Sequence, residues 1–461
     1  MIIPVFVDLY YGSPDWKVFA LCSLFTFFFG GMLSISNHTT HPSHMSVRQA
    51  FLMTATSWLM ICIFGSIPLW FSELGLSFTD ALFESVSGIT TTGSTIIVGL
   101  DDSPPGLLIW RALLQWLGGI GIIVMAISVL PLLKVGGMQL FRTESSENEK
   151  VLPRAKEFAM MICIIYIGLT IVCLLAYYAT GMALFESFAH SMTTVATGGF
   201  STRDASFGAY EGTYADMVAT FFILLSALPF VLYLKFLKGD RKALFRDTQV
   251  RAFLGFVFFI SLFASFNLAA FLDIPVAEAA RLAVFNITSI ISGTGYTNTN
   301  YGEWSSILVV IFFTIMFIGG CAGSTSCGIK IFRFQILFMT LRHQIQKLTH
   351  PNAVYIKRYN NSVVSDDVPI SVIGFVCLFF MSFAAIAFLL LLTGTDIITA
   401  LSGAATSISN VGPGLGDIIG PIGNFEPLSD PAKWVLSAGM LLGRLELYTL
   451  YILFLPRFWR A

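Results

Sequence analysis

Four stretches of this chain decide its fold: ALFESVSGITTTG (81–93), ESFAHSMTTVATG (186–198), AVFNITSIISGTG (283–295) and ALSGAATSISNVG (400–412). Identity among them is low, but small and hydroxyl residues recur in their last four positions. Each ends on a glycine, and the glycines lie 105, 97 and 117 residues apart. Each stretch is too short and too polar to cross a bilayer, which takes roughly 20 apolar residues, and each lies between two long apolar runs. A segment of this kind must re-enter the membrane, where irregular backbone is tolerated only inside protein or along water.

Composition agrees. Of the 461 residues, 56% are hydrophobic and 11% charged, and the mean hydropathy is +0.79; soluble domains carry about 25% charged residues. Nine candidate spans lie near 16–36, 48–71, 106–132, 157–180, 214–238, 250–271, 304–341, 368–393 and 431–455. The seventh is too long for one crossing and is interrupted by Gly319–Gly328. After the first span the rest pair up around the four short segments. This predicts an all-α polytopic membrane protein of four pseudo-symmetric helix–half-helix–helix repeats around a central pore, plus an N-terminal extra helix. The boundaries read as 1–47 for the N-terminal part and 48–150, 151–249, 250–366 and 367–461 for the repeats. Weak internal symmetry of this kind is the trace left by transporter repeats.

A potassium filter is built from four Thr-Val-Gly-type strands whose carbonyl oxygens replace the ion's water shell. Here one chain carries four candidate copies: Thr91-Thr92-Gly93, Ala196-Thr197-Gly198, Gly293-Thr294-Gly295 and Asn410-Val411-Gly412. A single glycine before a loop often just ends a helix; four at matching places point to a cation pore. A re-entrant half-helix also directs its negative C-terminal end at such a filter, which suits a cation.

Charge sets the orientation. All but six of the 26 Lys and Arg fall in the loops 37–50, 133–157, 235–251 and 329–368 or in the C-terminal tail; the six are Lys17, Arg111, Arg203, Arg281, Lys433 and Arg444. Positive loops stay cytoplasmic, so the filters face outward and the C-terminus lies inside. Nine spans would leave residue 1 outside with no signal to carry it there. The start Met1-Ile2-Ile3-Pro4-Val5-Phe6-Val7 reads as the tail of an earlier span, and one further N-terminal helix is expected in the natural chain or its ancestor.

Several side chains carry two readings each. Glu84 and Glu186, with Asp101 and Asp102 above them, either attract cations or, for the two glutamates, brace the half-helices. Gly319, Gly320, Gly323, Ser324, Thr325 and Gly328 break the seventh span, either as a close-packed crossing or as a mobile gate across the pore. Arg444 stands inside the last span, where a charge usually faces the bundle interior or water; it either obstructs the pore or pairs with a buried carboxylate. Glu446 is two residues away and points elsewhere on the helix.

His38, His41 and His44 form a spaced trio, but Pro42 breaks helical geometry and no cysteine or carboxylate joins them. The basic stretch Lys330, Arg333, Arg342, Lys347, Lys357 and Arg358 is either plain topology or a docking surface for a soluble partner. The seven cysteines sit in or beside apolar runs and read as buried small hydrophobes rather than a disulfide framework. Net charge is −1, which gives no bulk basic field for nucleic acid. No P-loop and no GxGxxG turn is present. His190 stands alone in the second half-helix, so no cluster for an enzyme forms.

Taken together, the filters, the Gly319–Gly328 loop and Arg444 resemble the Trk/Ktr/HKT superfamily of potassium transporters, and within it the bacterial TrkH-type membrane subunits. The resemblance is carried by Thr90–Thr95, Gln115–Gly121, Thr194–Phe200, Gly319–Thr325, Asn410–Gly416 and Gly443–Glu446, and it covers nearly the whole chain. It implies potassium uptake across the bacterial inner membrane through a gated pore, with K+ the transported ion and no covalent cofactor. It implies a homodimer, and a peripheral cytoplasmic TrkA-type subunit that binds the nucleotide and controls opening. It implies that the 319–328 loop gates and that Arg444 guards the pore. A potassium symporter coupled to protons or sodium shares this architecture and stays open as the alternative.

Two departures stand out. The family loop often runs Ser-Thr-Gly-Gly-Gly, whereas this chain has Ser324-Thr325-Ser326-Cys327-Gly328, and the family's two-helix N-terminal part has only its second helix complete here. Some plant relatives that prefer sodium have serine at the first filter glycine; Gly93 therefore favours potassium.

Overall fold

The computed structural model describes residues 1–37, 46–128, 151–352, 357–360 and 362–460. Among the described residues, six helices are long and apolar enough to cross a membrane: Trp16–Ser36, Arg48–Trp70, Pro105–Met125, Glu157–Ala179, Thr248–Leu272 and Asp367–Leu392. Their large side chains face outward in number, as with Phe27, Phe258, Phe259 and Phe388. With no water to compete, an apolar outer face is what lipid solvates. Trp16–Ser36 buries only Phe19 and Cys22 and so lies at the periphery. A short helix, Ile2–Tyr11, precedes it and packs on Pro105–Ser128. Among the described residues the single sheet is a two-stranded hairpin, Arg358–Tyr359 with Ser362–Val363.

The four short segments are helices wrapped in protein: Phe78–Ile89, Leu184–Val195, Val276–Ser292 and Ile397–Ser409. From Ala81 to Ile89 every residue is buried, and from Ser402 to Ser409 likewise. Side-chain caps start the first and the fourth. The hydroxyl of Ser77 accepts from the amide of Asp80 at 3.1 Å, and a carboxylate oxygen of Asp396 accepts from the amides of Ile398 and Thr399, satisfying donors that a helix start leaves open. The third begins after Pro275.

The repeats interlock in order. Each half-helix packs against the long helix preceding it, and three of them also pack against a helix of a neighbouring repeat: Pro105–Ser128 on Leu184–Val195, Ala215–Ser226 on Val276–Ser292, and Asp430–Arg444 on Phe78–Ile89. That last contact closes the circle. A partly buried ion pair between Lys433 and Asp80, 2.6 Å apart, ties the same two elements.

Two expected spans are not continuous. The fifth bends by 86° between Ala215–Ser226 and Phe230–Leu237, and the ninth by 106° between Asp430–Arg444 and Tyr448–Phe454. Pro229 accounts for the first bend, because it cannot donate to the helix. The carbonyls it frees are taken up from elsewhere: Ala227 O accepts from Cys321 N at 3.0 Å and Ser226 O from Thr325 N at 3.3 Å. At the second bend Glu446 and Leu447 adopt φ of 60° and 46°, a conformation costly for branched or bulky residues. Hydropathy is blind to both breaks, since apolar residues flank them. The seventh run divides into Ser306–Ile315 and Ile331–Thr349, with the glycine-rich stretch between.

All seven cysteines are free. Five are buried as expected, but Cys163 is partly exposed and Cys377 exposed, both on outward faces of apolar spans.

Candidate ion pathway

The ends of the four half-helices meet. In each, one residue takes a left-handed turn, a second continues, and a glycine turns left-handed again. The first repeat has Thr91 at φ 52° and Gly93 at 88°; the third Gly293 at 74° and Gly295 at 84°; the fourth Asn410 at 53° and Gly412 at 109°. In the second repeat the pair is Thr197 at 50° and Gly199 at 81°. The backbone hydrogen bonds repeat the same register: Thr92 N to Ser87 O, Gly198 N to Thr193 O, Thr294 N to Ser289 O and Val411 N to Thr406 O. Gly199, not Gly198, is thus the counterpart of Gly93, Gly295 and Gly412, and Ala196 is the counterpart of Thr90. The Gly198-Gly199 doublet allows two alignments, and sequence pattern alone selected the other one.

The close approaches close a ring. A Cβ on Gly93 would stand 2.4 Å from the carbonyl oxygen of Gly198, one on Gly199 1.9 Å from that of Thr294, one on Gly295 2.1 Å from that of Val411, and one on Gly412 2.8 Å from that of Thr92. Each glycine lies against the carbonyl of the middle residue in the next repeat, four times around. All four glycines also line one cavity with Arg111, Arg203 and Asp204.

Side chains brace the ring from behind. Asn410 Nδ2 donates to Thr92 Oγ1 at 2.9 Å and to Met440 O at 2.8 Å. Ser94 Oγ donates to Gly412 O at 2.8 Å, and Ser289 Oγ to Tyr296 O at 2.7 Å. Gln115 grips the second turn twice: its Nε2 donates to Gly198 O and its Oε1 accepts from Phe200 N at 3.0 Å. A Cβ on Gly198 would collide with this amide at 2.4 Å. The glycine at 198 makes room for Gln115, whereas the glycine at 199 makes room for the ring. Gln115 opens one of the stretches that carry the resemblance, but it is absent from the site candidates read in sequence.

Beneath the ring, residues 316–330 form a compact loop. Gly319 N donates to Ile329 O at 2.9 Å and Ile329 N to Phe317 O at 3.0 Å. Gly320 N donates to Ser326 Oγ at 2.7 Å, Ser324 Oγ to Cys321 O at 2.6 Å, and Ala322 N to Gln249 Oε1 at 2.9 Å. Phe230 N donates to Gly323 O at 2.9 Å. A Cβ on Gly319 would lie 1.7 Å from Cys327 O. Thr325 hangs on Ser226 O. The loop is not a helix; it is a compact, internally hydrogen-bonded fold docked on the Pro229 bend.

Arg444 reaches this loop. Its Nη1 donates to Thr325 O at 3.3 Å and to Cys327 Sγ, and its Nη2 to Gly118 O at 3.1 Å. It makes no ion pair among the described residues. Glu446 pairs instead with Arg333, whose guanidinium lies 3.6 Å from the centre of the Phe375 ring.

Both acidic candidates of the half-helices are held by arginines. Glu84, fully buried, accepts from Arg111 Nε at 2.7 Å, from Ile96 N at 3.0 Å and from Thr95 Oγ1. Arg111 also donates to Ser201 O and covers the Phe200 ring. Glu186 binds Arg203, which binds Asp101 at 2.9 Å. The arginine hydrogen bond holds the Asp101 carboxyl below its ordinary range. Asp102 lies exposed in the turn beside Asp101.

The basic stretch divides. Lys330 is buried with its ammonium on Ser326 O, and Arg333 is buried on Glu446, so neither belongs to a docking surface. Arg342 and Lys347 are exposed on Ile331–Thr349. Lys357 pairs with Asp366 at 2.8 Å, and Arg358 lies in the hairpin. The trio His38, His41 and His44 lies outside the described residues. His190 is buried, with its ring nitrogens on Glu186 O and Ser201 Oγ.

Comparison with known proteins places this geometry. The sequence model of the TrkH family, described as a cation transport protein, matches residues 16–461. The chain is 46% identical over its whole length, and 94% of the relative's, to the Trk system potassium uptake protein TrkI of Halomonas elongata. It is 37% identical to the Trk system potassium uptake protein TrkH of Escherichia coli, over all of this chain and 96% of that one. Its structure superimposes on the crystal structure of the potassium transporter TrkH from Vibrio parahaemolyticus with a TM-score of 0.91, at 36% identity over 99% of this chain and 95% of that one.

Proposed function

The chain belongs to the TrkH family of cation transport proteins, and on that premise we propose that it takes up potassium through a gated pore whose filter is the ring of four glycine turns. It is a membrane protein of the Trk potassium uptake family, a transporter rather than an enzyme. Its transported ion is K+.

One observation carries the filter reading: the fourfold approach of each ring glycine to the carbonyl of the next repeat. Two layers of carbonyls follow from the shared register, Thr91, Thr197, Gly293 and Asn410 below, and Thr92, Gly198, Thr294 and Val411 above. Gly93, Gly199, Gly295 and Gly412 form the outer rim. Carbonyl oxygens in such layers can replace an ion's hydration shell, and they do so without a titratable group. The 319–328 loop closes the inner end together with Arg444, and opening requires both to shift.

Family membership supports the remaining assignments. The protein lies in the bacterial inner membrane with its filters outward and its C-terminus inside. It works as a homodimer under a peripheral cytoplasmic TrkA-type subunit that binds the regulating nucleotide.

The test is potassium and sodium flux into liposomes holding the purified protein alone, under an imposed voltage and with no proton gradient. Potassium-selective flux that follows the voltage is expected. Flux that appears only when a proton or sodium gradient is imposed overturns the pore in favour of coupled symport.

A further inference from the structure

One side chain of the intramembrane loop reaches two opposite turns of the ring. The Cβ of Cys327 lies 3.3 Å from where a Cβ of Gly293, in the third repeat, would stand. Its Sγ lies 3.6 Å from Thr91 Oγ1, in the first. The first and third repeats face each other across the ring, so a residue touching both sits beneath its centre. The same sulfur accepts from Arg444, in the fourth repeat.

Arg444 is 3% exposed, and among the described residues its Nε has no hydrogen-bond partner. A buried guanidinium is costly unless acceptors surround it. Those found here are two backbone carbonyls, Thr325 O and Gly118 O, and the sulfur of Cys327. Only the sulfur is an acceptor supplied by a side chain, and it is the one beneath the ring. Gly118 O lies to the side, on the helix of the first repeat.

We infer that Cys327 is a positioning residue for Arg444: its sulfur holds the guanidinium across the ion path and so tightens the closed state. A glycine at 327 would leave Arg444 on its two carbonyls alone, free to swing toward Gly118. The inference rests on the pore reading above. It assigns to Cys327 a role that the loop's glycines cannot perform, and it makes closure in this chain depend on a thiol.

Basal potassium flux in proteoliposomes tests it, in the unmodified protein, Cys327→Gly, Arg444→Ala and the double variant. Cys327→Gly should raise basal flux about tenfold, the scale of one hydrogen bond from a charged donor. The double variant should match Arg444→Ala, because without the guanidinium there is nothing left to hold. Cys327→Ser keeps an acceptor and should recover most of the closure. Unchanged flux in Cys327→Gly, or an effect that persists undiminished beside Arg444→Ala, overturns the inference.

A second measurement needs only the conservative variant Cys327→Ser to fold. A cationic methanethiosulfonate reagent is added to each side of a planar bilayer in turn. The Cys327 sulfur displaces methanesulfinate, a disulfide forms, and the thiol proton passes to water. Flux of the unmodified protein should change and that of Cys327→Ser should not; equal responses of the two overturn the inference. Non-selective flux in every form would fail the pore reading and this one with it, whereas selective flux without coupling between residues 327 and 444 fails this one alone.

Discussion

The carbonyl oxygen of Thr294 stands 1.9 Å from the point a Cβ of Gly199 would occupy. Any side chain at 199 must displace the neighbouring strand or leave its left-handed turn. The same clash is graded around the ring, at 2.1 Å for Gly295, 2.4 Å for Gly93 and 2.8 Å for Gly412. Replacement of each by serine should therefore lower the potassium-over-sodium permeability ratio in that order, Gly199→Ser and Gly295→Ser most and Gly412→Ser least. Bi-ionic reversal potentials in planar bilayers measure it. Gly198→Ser should act differently, by dislodging Gln115; a Gln115→Ala partner should relieve part of its effect, and no relief would refute that assignment.

Arg444 and the ring interact at short range. Its Nη1 touches Cys327 Sγ, and that sulfur is 3.6 Å from Thr91 Oγ1. At about 6 Å and an effective dielectric of about 20, two unit charges repel by roughly 3 kcal/mol. That is about a hundredfold in occupancy of the lowest ion position. Arg444→Ala should raise basal flux by tenfold or more, and Arg444→Lys by less, since a point charge remains. Flux from well-folded Arg444→Ala no greater than from the unmodified protein would remove Arg444 from the ion path.

What was legible in the sequence followed from what leaves a local trace. Six spans show as apolar runs, and the half-helices show as short polar-tinged segments ending on glycine. The bend at Pro229 left only a proline inside an apolar run, which marks a break but not its angle, and the bend at Glu446-Leu447 left none; the contacts that hold them lie elsewhere, in the loop that docks on Ser226 and Ala227 and in the Arg333–Glu446 pair. The register of the second turn failed for a related reason. Gly198 and Gly199 look alike in sequence, and only tertiary neighbours, Gln115 for one and Thr294 for the other, tell them apart. The roles of Glu84 and Glu186 were equally undecidable without their arginines, which lie 27 and 17 residues away.

Glu84 and Arg111 form a buried pair with almost no exposure, 0% and 1%. Removing one member strands the other, at a cost of roughly 3–5 kcal/mol. Glu84→Gln and Arg111→Met should each lower thermal stability sharply, and the double variant by less than their sum. Because Glu84 is consumed by this brace, charge removal should act on stability rather than on ion attraction. Flux of the surviving folded Glu84→Gln protein should keep the unmodified dependence on potassium concentration; a raised half-saturating concentration at equal stability would restore the cation-attracting role.

The outer brace should be indifferent to mild acid. The Arg203 hydrogen bond holds Asp101 below the ordinary carboxylate value of 3.8. A group depressed in the folded state contributes stability above its unfolded pKa and loses it as pH falls through the folded one. The window for Asp101 therefore lies below pH 4, and nothing is lost from it between pH 7 and pH 5. Its contribution is small throughout, since both side chains are about half exposed and solvent screens the pair. Thermal melts of the unmodified protein and of Asp101→Asn should run parallel from pH 7 to pH 5 and converge only below about pH 4. A convergence already complete at pH 5 would mean that the Asp101 carboxyl takes up its proton above its ordinary value and that Arg203 does not hold it in the ionised form.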